Sequence, residues 1–233
     1  MRLALPITAA LAAGALGLAA GQAIGFTAHR HRPALGPSAA AVAAELHGLP
    51  QHALSLGSAS APVTVDEYAD LICGPCAAAS RRVLAPAIAS FVRADAARFV
   101  FEPIVESPRS QRYALGAYSA GTQRKGWSDV LLAYAESRGN GRGPAYGARA
   151  LARAVGVRSR RWRSLVRRKA WERMIEQSAR VALLGGFTSY PVFIVKGPGI
   201  KRSTQPDHRS VIILTAPTLA QLTQAIVTAE PPA

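Results

Sequence analysis

Cys73 and Cys76 are the only cysteines in the 233-residue chain, and they bracket Gly74 and Pro75. A chain stapled by disulfides scatters its cysteines, whereas two thiols this close in sequence are spaced for redox chemistry. Residues 63–68, Val-Thr-Val-Asp-Glu-Tyr, read as a strand just upstream of the pair. Residues 77–84, Ala-Ala-Ala-Ser-Arg-Arg-Val-Leu, read as a helix just downstream. A cysteine at the start of a helix faces the first-turn N–H groups and the positive end of the helix dipole, and both stabilise its thiolate. The pattern makes Cys73 the attacking sulfur and Cys76 the resolving one.

Other roles for the pair fit less well. A zinc site needs two more ligands, and the available histidines are His29, His31, His47, His52 and His208. His47 and His52 do not share a helical face, and Gly48-Leu49-Pro50 between them breaks a helix. A purely structural disulfide across so short a loop removes little entropy from the unfolded chain. Two buried, inert thiols sit poorly with a Gly-Pro turn that exposes the site.

The elements that position the pair follow from the hydrophobic pattern. Residues 63–68 and 97–105 are expected as core strands, with a helix over 77–93 bent near Pro86. A long helical region comes next, in pieces over about 111–137, 146–155 and 159–184, interrupted by the Gly-rich stretch 138–144. Residues 191–196 and 211–214 look like an antiparallel pair. An amphipathic helix over 218–228 closes the chain, with Thr215 or Thr218 as its N-cap. Residues 33–57 are rich in Pro and Ala and read as a linker with one short helix around 39–47. The order is β, α, β, a helical block, β, β, α.

Residues 3–28 carry no charge and are mostly Ala, Leu, Gly and Ile. They are long enough to span a bilayer, and equally fit a secretory signal with small residues at Gly21-Gln22-Ala23. Positive charge follows at His29-Arg30-His31-Arg32. Either as a signal peptide or as a membrane anchor, the segment places the body of the protein outside the cytoplasm, in a periplasmic or extracytoplasmic compartment. The remaining 29–233 suffice for one core of ordinary size.

The chain has 28 Lys plus Arg against 13 Asp plus Glu, a formal net charge of +15. Such a balance favours acidic partners or anionic surfaces and says nothing about fold. In an exported protein it points to lipid head groups or acidic clients rather than nucleic acid. The densest run contains Arg158, Arg160, Arg161, Arg163, Arg167, Arg168 and Lys169, with Trp162, Leu165 and Val166 between them. One reading is a solvated helix face with those three apolar residues turned inward; the other is a patch that docks on an anionic membrane surface or a partner.

Together these features resemble the thioredoxin superfamily, and most closely its DsbA-like branch, over roughly residues 57–227. Residues 61–71 look like the segment that leads into the branch's active-site cysteines. Residues 123–127, Gln-Arg-Lys-Gly-Trp, look like its Gln-Gly-Lys-Phe-Trp run. Residues 185–195 look like its Gly-x-x-Gly-Thr-Pro-Thr-Phe-x-Val strand. Pro191 follows Cys73 by 118 residues, which leaves room for a helical insertion that plain thioredoxin lacks.

The resemblance implies an α/β thioredoxin fold with an all-helical domain inserted between the second strand and the strand opened by a cis proline. The expected division is a leader at 1–28, a linker at 29–57, a thioredoxin-like domain at 58–105 and 186–230, and the helical insertion at 106–185. It also implies that Pro191 is cis and lies beside the cysteines. Tyr190 would then offer its backbone to an extended client, and Gly74 and Pro75 would face the same client. Glu67 stands where the superfamily keeps a buried acid beneath the resolving cysteine. The alternation of Val63, Val65 and Glu67 puts it on an apolar face, where it would exchange a proton with Cys76. Asp66 and Asp70 are expected to be exposed. Tyr190 departs from the family pattern, which favours Thr, Val or Ile at that position.

The implied activity is thiol–disulfide exchange with exported, thiol-containing proteins. It needs no metal or organic cofactor, and a membrane oxidase or reductant resets the pair. Gly-Pro is also the dipeptide of thioredoxin and lacks the histidine of strongly oxidising relatives, so the disulfide is expected to be less oxidising than that of DsbA. Two alternatives stay open: a membrane-tethered reductase or isomerase for a narrow client, and a non-enzymatic basic binding module.

Overall fold

The computed structural model describes residues 35–137, 143–200 and 210–232. The uncharged leader, the histidines His29, His31 and His208, and most of the Gly-rich stretch 138–144 lie outside these residues. A six-stranded mixed sheet in the order β1-β2-β4-β3-β5-β6 organises the rest. Its centre is β3 (Val63–Ala69), parallel to β4 (Ala97–Pro103) and antiparallel to β5 (Val192–Lys196). β6 (Ile212–Thr215) adds antiparallel to β5. β-branched Val63, Thr64 and Val65 suit a strand paired on both sides, and all residues of β3 but Thr64 are buried. β4 alternates strictly, with Ala97, Phe99, Phe101 and Pro103 inward.

Residues 35–57 are not a linker. They form α1 (Leu35–Glu45), β1 (Gln51–His52) and β2 (Ser55–Leu56), and β2 extends the sheet by pairing antiparallel with β4. Val42, Leu46, Leu54 and Leu56 are buried there. A Pro- and Ala-rich composition concealed these four, which are too few and too unevenly spaced to show a helical or strand period.

From Cys73 the chain enters one continuous helical run. It comprises α2 (Gly74–Ala79), a wide π-helical stretch (Ser80–Leu84), the turn α3 (Ala85–Ala87) and a second π-helical stretch (Ile88–Val92). Pro86 cannot donate to the carbonyl four residues back and its ring crowds that turn. The wide turns on either side absorb the mismatch, so the expected bend is a local widening.

Among the described residues, five helices stand between β4 and β5: α4 (Pro108–Gly121), α5 (Gly126–Ala135), α6 (Ala148–Ala154), α7 (Ser159–Leu165) and α8 (Lys169–Leu184). The expected helix over 111–137 divides where Arg124 takes a positive φ of 58°. Gly126 then starts α5, where a Cβ would lie 2.1 Å from the Ala53 carbonyl oxygen. That close approach carries α5 through the core, and Trp127 is fully buried with its indole N–H donating to the Leu54 carbonyl at 2.8 Å. The expected helix over 159–184 likewise divides into α7 and α8. All of these elements belong to one compact unit, Pro33–Ala233. α9 (Leu219–Ala229) closes the chain with Thr218 as N-cap, in a capping box with Gln221.

The main core gathers Val63, Val65, Phe99, Phe101, Phe193 and Val195 of the sheet with residues of α5, α9 and the helical run after Cys73. A smaller cluster on Tyr68, Val192 and Ile194 joins Ala182 of α8, and the Phe187 ring meets Tyr68 edge-on at 5.5 Å.

Candidate active site

β3 ends at Ala69, and Asp70 turns the chain into the helix. Its Oδ1 accepts from the Ile72 N–H at 2.9 Å, and its carbonyl accepts from the Cys73 N–H at 3.1 Å. Cys73 is the extended N-cap residue of α2, and its Sγ accepts from the Cys76 N–H at 3.1 Å. Cys73 and Cys76 form a disulfide with Cα atoms 5.3 Å apart. The two sulfurs differ sharply in access. Cys76 is fully buried, Cys73 is half-buried, and Pro75 between them is exposed. A nucleophile from outside therefore meets Cys73 first, and charge developing on that sulfur falls on helix N–H groups.

The Tyr190–Pro191 peptide bond is cis. The Ala216 N–H donates to the Pro191 carbonyl at 2.8 Å, which ties the β6–α9 connection to the start of β5. Pro75 and Pro191 line one groove of about 410 Å³, so the sheet brings together two motifs separated by more than a hundred residues. Tyr190 is half-buried beside them, while Gly74 is buried and Pro75 offers the exposed surface of the dipeptide.

Glu67 is fully buried on β3, between Phe101 and Phe193 on the flanking strands. Its Oε1 accepts from the Tyr134 hydroxyl at 3.5 Å and its Oε2 has no partner. Desolvation pushes its pKa up to about 8, and the Tyr134 hydrogen bond offsets only part of that rise. At neutral pH the side chain is held as the neutral acid. Tyr134 lies on α5, which also packs against α2, so the acid and the cysteine helix share one helical neighbour.

Asp66 and Asp70 are buried rather than exposed. The Lys196 ammonium pairs with Asp66 from the adjacent strand β5, which makes its burial tolerable. Asp70 is enclosed by its own turn, with its pKa raised by desolvation. Tyr134 and Asp129, both on α5, are buried polar groups the motifs did not single out. The spacing Trp127, Val130, Leu131, Tyr134 marks an inward stripe and was the available signal for Tyr134. Asp129 has an unpartnered Oδ1, and desolvation pushes its pKa up to about 8. Nothing in the local sequence distinguishes it from a surface carboxylate.

In the basic run, Trp162 is buried and its indole N–H donates to the Gly116 carbonyl at 3.1 Å. Leu165 and Val166 are half-buried, and Arg158, Arg160, Arg161, Arg163, Arg167, Arg168 and Lys169 are all exposed. Among the described residues none of the seven has an ion-pair partner. The described residues contain no helix long and apolar enough to cross a membrane.

The thioredoxin family pattern matches residues 50–213. Among solved structures, the chain is similar to alpha-DsbA1 of Wolbachia pipientis, with a TM-score of 0.60 at 15% identity over 76% of this chain and 89% of that one. A thioredoxin-like oxidoreductase from Silicibacter pomeroyi gives 0.58 at 23% identity, over 75% and 90%. DsbA2 of Pseudomonas aeruginosa gives 0.57 at 20% identity, over 77% and 94%. No curated protein matches the chain by sequence. The likeness extends to the arrangement of the fold, a thioredoxin sheet interrupted by helices between β4 and β5.

The buried acid makes stability depend on pH in a definite direction. Between its ordinary value near 4.5 and about 8, folded Glu67 keeps a proton that the unfolded chain gives up. Stability therefore falls as pH rises through this window. Glu67→Gln, measured by denaturant unfolding from pH 5 to 8, is expected to flatten the slope by about 1.4 kcal/mol per pH unit. Asp129, with Asp70 and Glu102, whose pKa values burial also raises, contributes to the slope that remains; an unchanged slope in the variant contradicts the assignment.

Proposed function

The chain belongs to the thioredoxin family, and on that premise we propose that it is an extracytoplasmic, DsbA-like thiol:disulfide oxidoreductase acting on exported proteins. One observation carries the proposal: a disulfide running from half-buried Cys73 to fully buried Cys76, capping a helix beside cis Pro191. The uncharged segment 3–28 supports a location outside the cytoplasm.

In the oxidising direction a client thiolate attacks the Cys73 sulfur, and the Cys73–Cys76 bond breaks. Cys76 leaves as a thiolate and takes a proton, for which neutral Glu67 is the assigned reservoir. A second client thiolate attacks the client sulfur of the mixed disulfide and releases Cys73. The client is oxidised by two electrons and the protein is left as the dithiol. In the reducing direction Cys73 attacks a client disulfide and Cys76 resolves the adduct, with Glu67 as its proton acceptor. Gly74, Pro75 and the Tyr190 backbone hold the client in an extended form. A membrane oxidase or reductant resets the pair.

Gly74-Pro75 sets the poise in this account. It places the disulfide on the reducing side of DsbA, whose potential is about −120 mV, toward thioredoxin near −270 mV. A reductase serving a narrow client draws on that same dipeptide and is the second reading. The exposed arginine face of α7 and the chain beyond it completes the proposal as a docking surface for anionic lipid head groups.

Refolding of a reduced, unfolded substrate is expected to fall to background with Cys73→Ser, and equilibration with glutathione is expected to give a potential below −120 mV. Activity retained by that variant contradicts the enzyme reading and leaves a binding module. A potential at or above the DsbA value contradicts the role of Gly-Pro. For the lipid surface, the full-length protein is expected to co-sediment with vesicles containing phosphatidylglycerol more than with zwitterionic ones. Combined Arg160→Gln, Arg161→Gln and Arg163→Gln should weaken that binding by about fivefold per charge removed; equal binding by the variant contradicts it.

A further inference from the structure

The groove that joins Pro75 to Pro191 continues along the helical run and against α9, with Val83, Pro217 and Leu219 in its walls. Its lining is apolar or uncharged at every position except Arg82, which is exposed. Among the described residues no acid forms an ion pair with that guanidinium. α9 reads Leu-Ala-Gln-Leu-Thr-Gln-Ala-Ile-Val-Thr-Ala and β6 reads Ile-Ile-Leu-Thr, neither with a charge. Arg81, next to it, adds a second exposed cation. Among the described residues the ion pair is Asp66–Lys196, on β3 and β5.

We propose that Arg82 makes this groove select client segments carrying an acidic side chain close to the reacting cysteine. The inference rests on the thiol–disulfide reading above and names its substrate class. Arg82 stands nine residues beyond Cys73, so it lies about 13 Å further along the helix. An extended client advances about 3.3 Å per residue, which places its carboxylate about four residues from its cysteine. The apolar walls bind the intervening side chains, and the guanidinium supplies the one charged contact, with carboxylate geometry it matches in a bidentate way. An unopposed cation also repels Lys or Arg at the same client position, so discrimination comes from attraction and repulsion together.

The test uses the oxidised protein and single-cysteine peptides of otherwise uncharged sequence, with Asp, Asn or Lys about four residues from the cysteine on one side or the other. The step followed is attack of the peptide thiolate on Cys73, which forms the peptide–Cys73 disulfide and releases the Cys76 thiol. At about 50 mM salt the Asp peptide on one side of the cysteine is expected to react about fivefold faster than the Lys peptide. A charge near the peptide's own thiol changes its reactivity, so the ratio is compared between the native protein and Arg82→Gln. The ratio should collapse in Arg82→Gln, persist in Arg82→Lys and invert in Arg82→Glu. The same Asp-to-Lys ratio in the native protein and Arg82→Gln overturns the selectivity while the enzyme reading stands. Failure of the Asn peptide to react with any of the proteins overturns both.

Discussion

Strand β3 is hydrogen-bonded on both edges and buried along nearly its whole length, and the rest of the site depends on that constraint. A strand held this way fixes where the chain leaves the sheet. Asp70 then closes two hydrogen bonds in the turn, and the helix has to begin at Cys73. The neighbouring strand β5 is immediately preceded by cis Pro191, whose carbonyl is held by the Ala216 N–H. Two motifs far apart in sequence thus open into one groove because the strands that carry them are adjacent in the sheet.

The electrostatics divides into a dry interior and a cationic exterior. Inside, Glu67 and Asp129 are held as neutral acids because burial removes the water that would stabilise their charge. Such groups cost stability as pH rises, and a fold that keeps them has a use for them or a structural reason to tolerate them. For Glu67 the proposed use is proton exchange with a buried sulfur leaving group. For Asp129 the structure offers no such partner. Outside, arginines dominate, and among the described residues those on α7 and beside the groove form no ion pair. The two regimes are assigned different steps in the proposed function: Glu67 to proton movement and the surface cations to what approaches.

Much of this was legible from local pattern. The pair Cys73 and Cys76, Pro191 at a strand start, the alternation placing Glu67 inward and the Thr218 cap each rest on spacing or on residue type at one position. What escaped depends on neighbours distant in sequence. Asp66 is buried because Lys196 reaches it from β5, and Asp70 because the turn folds over it. Tyr134 acquires its role only when α5 crosses above Glu67. Residues 35–57 join the sheet through four apolar side chains that no periodicity displays. The break at Arg124 came without Gly or Pro at that position, since close packing of Gly126 on Ala53 drives it.

The central claim is that a client sulfur attacks Cys73 and leaves Cys76 as the buried partner. Its most direct test is to express Cys76→Ala and Cys73→Ala in the native host. Disulfide-linked adducts are then trapped with acid, and the bonded cysteine is mapped by mass spectrometry. The account predicts client proteins linked through Cys73 in the first variant and none linked through Cys76 in the second. Adducts on Cys76, or no adducts on Cys73, would contradict it.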